Sequence, residues 1–237
     1  MNRTSSFLAA SAVVLMTQVA PAATYVYDLE TEIGATNGTL MSTDGWTGSD
    51  IGNWVVQDQN GLKYARNQND GDNAITRQND AGFNYTIPSG TTNLTIEIEA
   101  RTGSGFWQAG LANSSGALLL GIGSDFGGNN KYFIFEGSRF NESGTSATGD
   151  GIHTLRMEVD LLANSGNGSA DLFYDNTLII DDQALTLPDM TTASGLYIRD
   201  NTRFVGPGKF TIVTVPEPSS AALLGLAGIA LISRRRR

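Results

Sequence analysis

Two carboxylates lie two residues apart in the segment Leu94-Thr-Ile-Glu-Ile-Glu-Ala-Arg101. If this segment is a strand, Glu97 and Glu99 share one face, with Cα atoms about 7 Å apart. Glycoside hydrolysis uses two carboxylates, about 5 to 5.5 Å apart in retaining enzymes and farther apart in inverting ones. The pair is therefore a candidate for sugar cleavage, and an ordinary solvated strand face is the alternative.

Two polar segments could bind a cation. Asp70-Gly-Asp-Asn73 and residues 125–130 carry the hard oxygen ligands that calcium prefers, although ordinary turns use the same residue types. The chain has one histidine, His153, and no cysteine, which excludes multi-histidine metal sites, thiolate sites and disulfides. We expect His153 to be structural. Calcium is the one cofactor that the sequence suggests, and no metal ligand can be assigned.

Aromatic rings could stack on sugars, because a ring face covers the apolar face of a pyranose. The candidates for such stacking are Trp46, Trp54, Trp107, Tyr64, Phe106 and Tyr132. Core packing is the alternative for each of them. Trp46 lies in the polar stretch 42–49 and is predicted to be the most exposed.

The elements that would position these residues are strands. Residues 94–101 and 153–161 alternate apolar and polar side chains, which predicts strands with one buried and one solvated face. Asp175-Asn176 separates two further runs and suits a tight hairpin turn. Weaker strands are predicted at residues 25–29, 54–57, 62–65, 83–87, 106–111, 117–122, 132–136, 195–199 and 209–215, with polar loops at 142–151 and 164–169. This number of short strands predicts an all-β, two-sheet, jelly-roll-like sandwich, with a β-helix as the alternative.

The N-terminus has the features of an export signal. Arg3 precedes an apolar core at residues 7–16, and Ala20-Pro-Ala22 forms a small-residue cleavage site. We therefore assign residues 1–22 to a signal peptide and residues 23–214 to a single ectodomain.

The ectodomain is acidic. The whole chain has 15 Lys and Arg and 24 Asp and Glu, and five arginines and one glutamate lie in the two terminal signals, which leaves 10 basic and 23 acidic residues and a net charge of −13. A domain of this charge repels phosphate backbones, so nucleic acid is excluded as a partner. Divalent cations or neutral glycans fit it better.

The C-terminus, residues 215–237, combines three features. Pro216-Glu217-Pro218 is an extended tripeptide, because each proline prevents helix formation around it. An uncharged apolar run at 221–232 follows, and counting from 215 to 233 it approaches the roughly 20 residues of a membrane-spanning helix. Four arginines, Arg234, Arg235, Arg236 and Arg237, end the chain and place it in the cytoplasm by the positive-inside rule.

The tripeptide, the Gly/Ala/Leu-rich run and the arginine cluster, in this order, resemble the PEP-CTERM sorting tail of exported bacterial proteins. The resemblance covers residues 215–237 and implies recognition by an exosortase, a membrane enzyme that removes the tail. It also implies export across the inner membrane, delivery to the cell envelope or the medium, and a setting of exopolysaccharide and biofilm. The protein would touch the membrane only through its tail, before processing.

The ectodomain resembles concanavalin A-like lectin and laminin-G-like sandwiches. The segment His153-Thr-Leu-Arg-Met-Glu-Val-Asp-Leu161, the polar loop at 164–169 and the hairpin at Asp175-Asn176 follow in the order found there. Glucanases of that fold use an acidic motif with a third carboxylate, and Thr102 stands at its position here. The carboxylate pair thus lacks one member of that motif.

These observations favour a non-catalytic envelope or matrix protein that associates with extracellular polysaccharide. Two alternatives stay open: a secreted glycan-active hydrolase that uses Glu97 or Glu99, and a self-associating adhesin.

Overall fold

The two alternating segments around residues 94–101 and 153–161 form an antiparallel pair. The computed structural model describes residues 22–32, 38–69, 71–80, 83–103, 105–124, 131–137, 151–186, 189–201 and 206–216, and the backbone of 139–146. Its strands are β1 (Ala23–Asp28), β2 (Trp46–Gly48), β3 (Trp54–Gln59), β4 (Leu62–Asn67), β5 (Asn73–Gln78), β6 (Thr91–Thr102), β7 (Trp107–Asn113), β8 (Leu118–Ser124), β9 (Lys131–Glu136), β10 (Arg139–Ser146), β11 (Gly151–Asp160), β12 (Ser169–Tyr174), β13 (Thr177–Ala184), β14 (Ala193–Asp200) and β15 (Gly206–Pro216). Single helical turns occupy Leu29–Glu32, Met41–Asp44, Ile51–Asn53 and Met190–Thr192, and a further turn at Ala163–Gly166 contains two residues with positive φ.

The described strands form two large sheets and one small one. The six-stranded sheet has the order β1-β15-β6-β11-β12-β13, and the seven-stranded sheet has the order β10-β9-β8-β7-β14-β5-β2. Strands β3 and β4 pair separately. Every pairing among these strands is antiparallel. The predicted all-β, two-sheet sandwich is confirmed.

The main core lies between the two large sheets. On β6, Leu94, Ile96, Ile98 and Ala100 are buried, as the alternation predicts, and the facing residues of β7 and β14 are buried with them. Because the side-chain period of a strand is two, each of these strands sends its other residues to the outer face of its sheet.

The predicted hairpin between β12 and β13 is confirmed. Tyr174 pairs with Thr177, and Asp175 and Asn176 have φ angles of 46° and 66°. Positive φ at both central residues is the geometry of the tight turn that matches strand twist.

One predicted strand is wrong, and three observed strands were not predicted. Residues 83–87 form no strand, because the side chain of Asn79 accepts a hydrogen bond from the Tyr85 amide and donates one to its carbonyl, which uses the groups a ladder needs. Strands β2, β5 and β10 were not predicted, and β10 covers part of the expected loop at 142–151.

Candidate functional site

The final strand leads directly into the sorting tripeptide. β15 runs through Val215 to Pro216, so the first proline of Pro216-Glu217-Pro218 is a strand residue, paired with Thr91 of β6 after a register shift. The hydroxyl of Thr92 donates a hydrogen bond to the Val215 carbonyl at 3.2 Å. No separate linker therefore lies between the sandwich and the tripeptide.

The rest of the C-terminal signal lies outside the described residues. This holds for Glu217, Pro218, the apolar run at 221–232 and the arginines at 234–237. Within the part of the chain that is described, no helix is both long and apolar enough to cross a membrane.

The start of the ectodomain lies beside its end. Ala23 is the first residue of β1 and pairs with Thr214 of β15. The expected signal-peptide cleavage after Ala22 would therefore leave a chain whose new N-terminus is a cross-strand neighbour of the strand that precedes the sorting tripeptide.

The predicted sugar-stacking aromatics are core residues. The six candidates expose 5% of their surface or less: Trp46, Trp54, Trp107, Tyr64, Phe106 and Tyr132. The prediction that Trp46 is exposed is wrong, because its indole Nε1 donates to the Tyr27 hydroxyl at 2.7 Å inside the core. A ring that is buried in this way cannot stack on a sugar.

The outer face of the seven-stranded sheet carries a row of glycines between aromatic residues. Phe135, Gly121, Gly110, Tyr197 and Thr76 are successive cross-strand neighbours on β9, β8, β7, β14 and β5. A Cβ atom at Gly110 would lie 2.2 Å from the carbonyl oxygen of residue 120, so only glycine fits there. The row therefore has two glycines between Phe135 and Tyr197, and the Leu118 side chain packs against Gly121.

A second, parallel row brings a charged pair to this face. Gln108 of β7 and Arg199 of β14 are cross-strand neighbours, and the Arg199 Nε donates to the Asp72 Oδ1 at 2.6 Å. A second guanidinium nitrogen contacts the other carboxylate oxygen of Asp72, so the contact is bidentate. The Arg199 Cζ also lies 5.1 Å from the centre of the Phe106 ring. The arginine is thus held in one orientation.

We call the half-exposed part of this face the β14 shelf. Its members are Asp72, Thr76, Gln78 and Arg199, and the buried Tyr197 lies on the same face of the sheet. Hydrogen bonding to Asp72 raises the pKa of Arg199 and outweighs the opposing effect of its partial burial. Burial raises the pKa of the Tyr197 phenol, so it remains an O–H donor at neutral pH. The shelf offers hydrogen-bond donors and acceptors on one rigid sheet.

The carboxylate pair lies on the opposite side of the sandwich. Glu97 and Glu99 are on the outer face of the six-stranded sheet, where Glu97 faces Arg156 and Glu99 forms an ion pair of 3.4 Å with Lys209. Both carboxylates therefore belong to a ladder of alternating charges, an arrangement that also explains them as a solvated face.

The candidate calcium segments are only partly described. Asp72 is engaged by Arg199, and Asp70 and residues 125–130 lie outside the described part. Among the residues that are described, no group of three or more His, Asp and Glu has the geometry of a metal site.

His153 has well-defined partners at the β12–β13 turn. Its Nδ1 lies 2.6 Å from the Asp175 Oδ2, and its ring stacks on Tyr174 with centroids 4.7 Å apart. The other Asp175 oxygen accepts the Thr154 amide at 3.0 Å. The histidine thus ties the hairpin turn to β11, which fits the structural role expected for it.

Solved structures with a similar fold come from several classes of protein. Alginate lyase Aly36B aligns with 10% identity over 81% of this chain and 94% of its own, with a TM-score of 0.45. The carbohydrate recognition domain of Emp46p in its metal-free form aligns with 15% identity over 78% and 95%, with a TM-score of 0.45. Galectin LEC-6 of Caenorhabditis elegans aligns with 12% identity over 57% and 92%, with a TM-score of 0.35. No curated protein matches the sequence.

The C-terminus matches a family model. The model describes the PEP-CTERM protein-sorting motif, and the match covers residues 214–237. It begins inside β15 and includes the tripeptide, the apolar run and the terminal arginines. The chain thus carries a PEP-CTERM protein-sorting motif at its C-terminus, which marks it as an exported protein.

Proposed function

We propose that this protein is an exported envelope or matrix protein whose tail is removed by an exosortase and whose β-sandwich binds extracellular polysaccharide without cleaving it. The observation that carries the proposal is the sorting motif at 214–237, joined directly to the last strand of a folded domain. Residues 1–22 act as the signal peptide, Pro216-Glu217-Pro218 is the recognition element, and Arg234–Arg237 hold the tail on the cytoplasmic side until it is cut.

The β14 shelf is the surface we propose for polysaccharide. Sugar sites combine an apolar or aromatic surface with a few fixed polar groups. Here the Arg199 guanidinium and the Asp72 carboxylate hold each other in place while keeping 33% and 42% of their side-chain surfaces exposed. Hydroxyl groups of a sugar can add to such a charge-assisted pair without disturbing it. The net charge of −13 favours a neutral glycan, or an anionic one bridged by cations.

Two experiments test the two halves of the proposal. For sorting, the Pro216→Ala and Pro218→Ala double variant should accumulate in the membrane as unprocessed chain, detected by immunoblotting of cell fractions. Release of this variant at the wild-type rate would show that the exosortase does not recognise the tripeptide.

For glycan binding, residues 23–216 are mixed with exopolysaccharide from the producing organism and the retained fraction is measured. Arg199→Ala should weaken binding by about tenfold, since hydrogen bonds to a charged group are among the stronger ones. The matched control is Arg156→Ala on the other sheet, because Arg156 also lies over an aromatic ring, 4.1 Å from the centre of Phe173. An equal loss of polysaccharide binding in both variants would show that the β14 shelf is not the binding site. Release of soluble sugar from the polysaccharide would indicate that the protein is an enzyme.

A further inference from the structure

Three residues divide the end of β15 into a fixed part and a part that can open. Thr214 is fully buried and pairs on both sides, with Ala23 of β1 and Leu94 of β6. Val215 is 42% exposed and, among the described residues, pairs with β6 alone, at Asn93.

Pro216, the third of these residues, is buried, but its pairing with β6 is irregular. It pairs with Thr91 of β6 across a register shift between Val215 and Pro216. As a proline it has no amide hydrogen to donate. Cleavage of the signal peptide after Ala22 leaves a chain that begins opposite Thr214, so nothing of β1 lies beside Val215 or Pro216. Strand ends with few partners open at little cost in free energy, whereas fully paired core strands do not.

We propose that local opening of Val215–Pro216 from β6 is the step that presents the sorting tripeptide to the exosortase, and that Thr214 is where this opening stops. The inference rests on the proposed processing and specifies its substrate: a short segment peeled from a folded sandwich rather than a free linker. Two residues in extended conformation carry the tripeptide about 7 Å away from the sheet. The enzyme would therefore act on a folded cargo, and the rate of tail removal would depend on how firmly the strand end is held.

A reversible crosslink tests this directly in the full chain. Asn93 and Val215 are cross-strand neighbours, and such pairs have Cα separations of about 4.5–5.5 Å, within the range that a disulfide spans. Because the chain has no cysteine, the Asn93→Cys and Val215→Cys double variant can form only this intramolecular bond. We expect tail removal, followed by pulse labelling in the producing cells, to stop in the oxidised form and to recover when a permeant reductant is added. Cutting of the crosslinked chain at the wild-type rate would overturn the proposal.

Two further variants move the rate in the opposite direction. A Gly-Ser-Gly-Ser insertion between Val215 and Pro216 frees the intact tripeptide from β6 and should speed tail removal by about fivefold or more, since at least one hydrogen-bonded contact no longer has to open. The same insertion between Asn60 and Gly61, both exposed in the turn joining β3 to β4, is the matched control and should leave the rate unchanged. Thr92→Val removes the hydroxyl bond to Val215 and should give an increase of about fivefold.

The outcomes separate this inference from the proposed function. If the wild-type tail is cut and the insertion does not change its rate, the opening step is wrong while exosortase processing stands. If the wild-type tail is not cut at all in cells that contain an exosortase, the proposed processing itself fails.

Discussion

Arg77 on β5 is the buried charge whose removal should cost the sandwich most. Only 5% of its side-chain surface is exposed, and its Nε lies 3.3 Å from the Asp44 Oδ2. Its Nη1 lies 2.7 Å from the Asp80 Oδ2, and its Cζ is 5.3 Å from the centre of the Phe83 ring. Burial tends to lower the pKa of Arg77, but the hydrogen bonds and charges of the two aspartates raise it overall. The guanidinium is therefore always charged.

The arginine supports a chain of buried hydrogen bonds. Asp44 also accepts the hydroxyl of Tyr27, and this hydroxyl accepts the indole N–H of Trp46. Burial raises the pKa of Tyr27, so its phenol stays protonated and keeps donating. Without Arg77, the Asp44 carboxylate, which is 18% exposed, would lie beside the core without its cation partner.

We expect Arg77→Met to lower the free energy of unfolding by about 3 kcal/mol, the low end for removing one partner of a buried ion pair, because Asp80 is half exposed. For a domain of this size that corresponds to a fall in melting temperature of about 9 °C. The assay is thermal unfolding of residues 23–216 followed by circular dichroism. The control is Asp80→Asn, which should cost less than about 1 kcal/mol.

A double variant separates the charge effect from packing. Asp44→Asn combined with Arg77→Met removes the carboxylate that would otherwise be left without its cation, so it should recover part of the loss. An Arg77→Met variant within about 1 kcal/mol of the wild type would refute the account of this network, and a double variant no better than the single one would show that packing rather than charge dominates.

Two smaller predictions concern the backbone. Gly123→Ala should lower the free energy of unfolding by about 2 kcal/mol, because the added Cβ would lie 2.0 Å from the carbonyl oxygen of Trp107. The control is Gly52→Ala, whose added Cβ would meet no atom within 4 Å and which should be close to neutral. Both variants are measured by urea unfolding. Asn176→Gly should raise the free energy of unfolding by about 0.5 kcal/mol, because glycine accepts the positive φ of 66° in the β12–β13 turn more readily. Thr177→Gly, inside β13, should lower it in the same experiment.

Much of the sheet architecture could be predicted from the sequence, because a strand with one buried and one solvent-exposed face alternates apolar and polar residues. β6 and β11 were found in this way, and the β12–β13 turn was found from its Asp175-Asn176 pair. β5 was missed because its inward face carries only one large apolar residue, Ile75, followed by Arg77. An arginine indicates a solvated face unless its partners are known, and one of the two partners here, Asp44, lies 33 residues away.

The candidate surfaces were less accessible to sequence analysis. Trp46 was predicted to be exposed because its neighbours are polar, and the hydrogen bond to Tyr27 that buries it connects residues 19 positions apart. Tyr197 and Arg199 could have been placed on one face from the alternation in β14. Their partner Asp72 could not, because 127 residues separate it from Arg199 and no local pattern connects them.

The mass of the mature protein tests the central claim most directly. The protein is recovered from outside the cells and its intact mass and C-terminal peptide are measured. The account predicts a chain that begins at Ala23 or close to it, retains β15 through Thr214, and lacks the apolar run and the four terminal arginines. A secreted or envelope-bound form that still ends at Arg237 would contradict it.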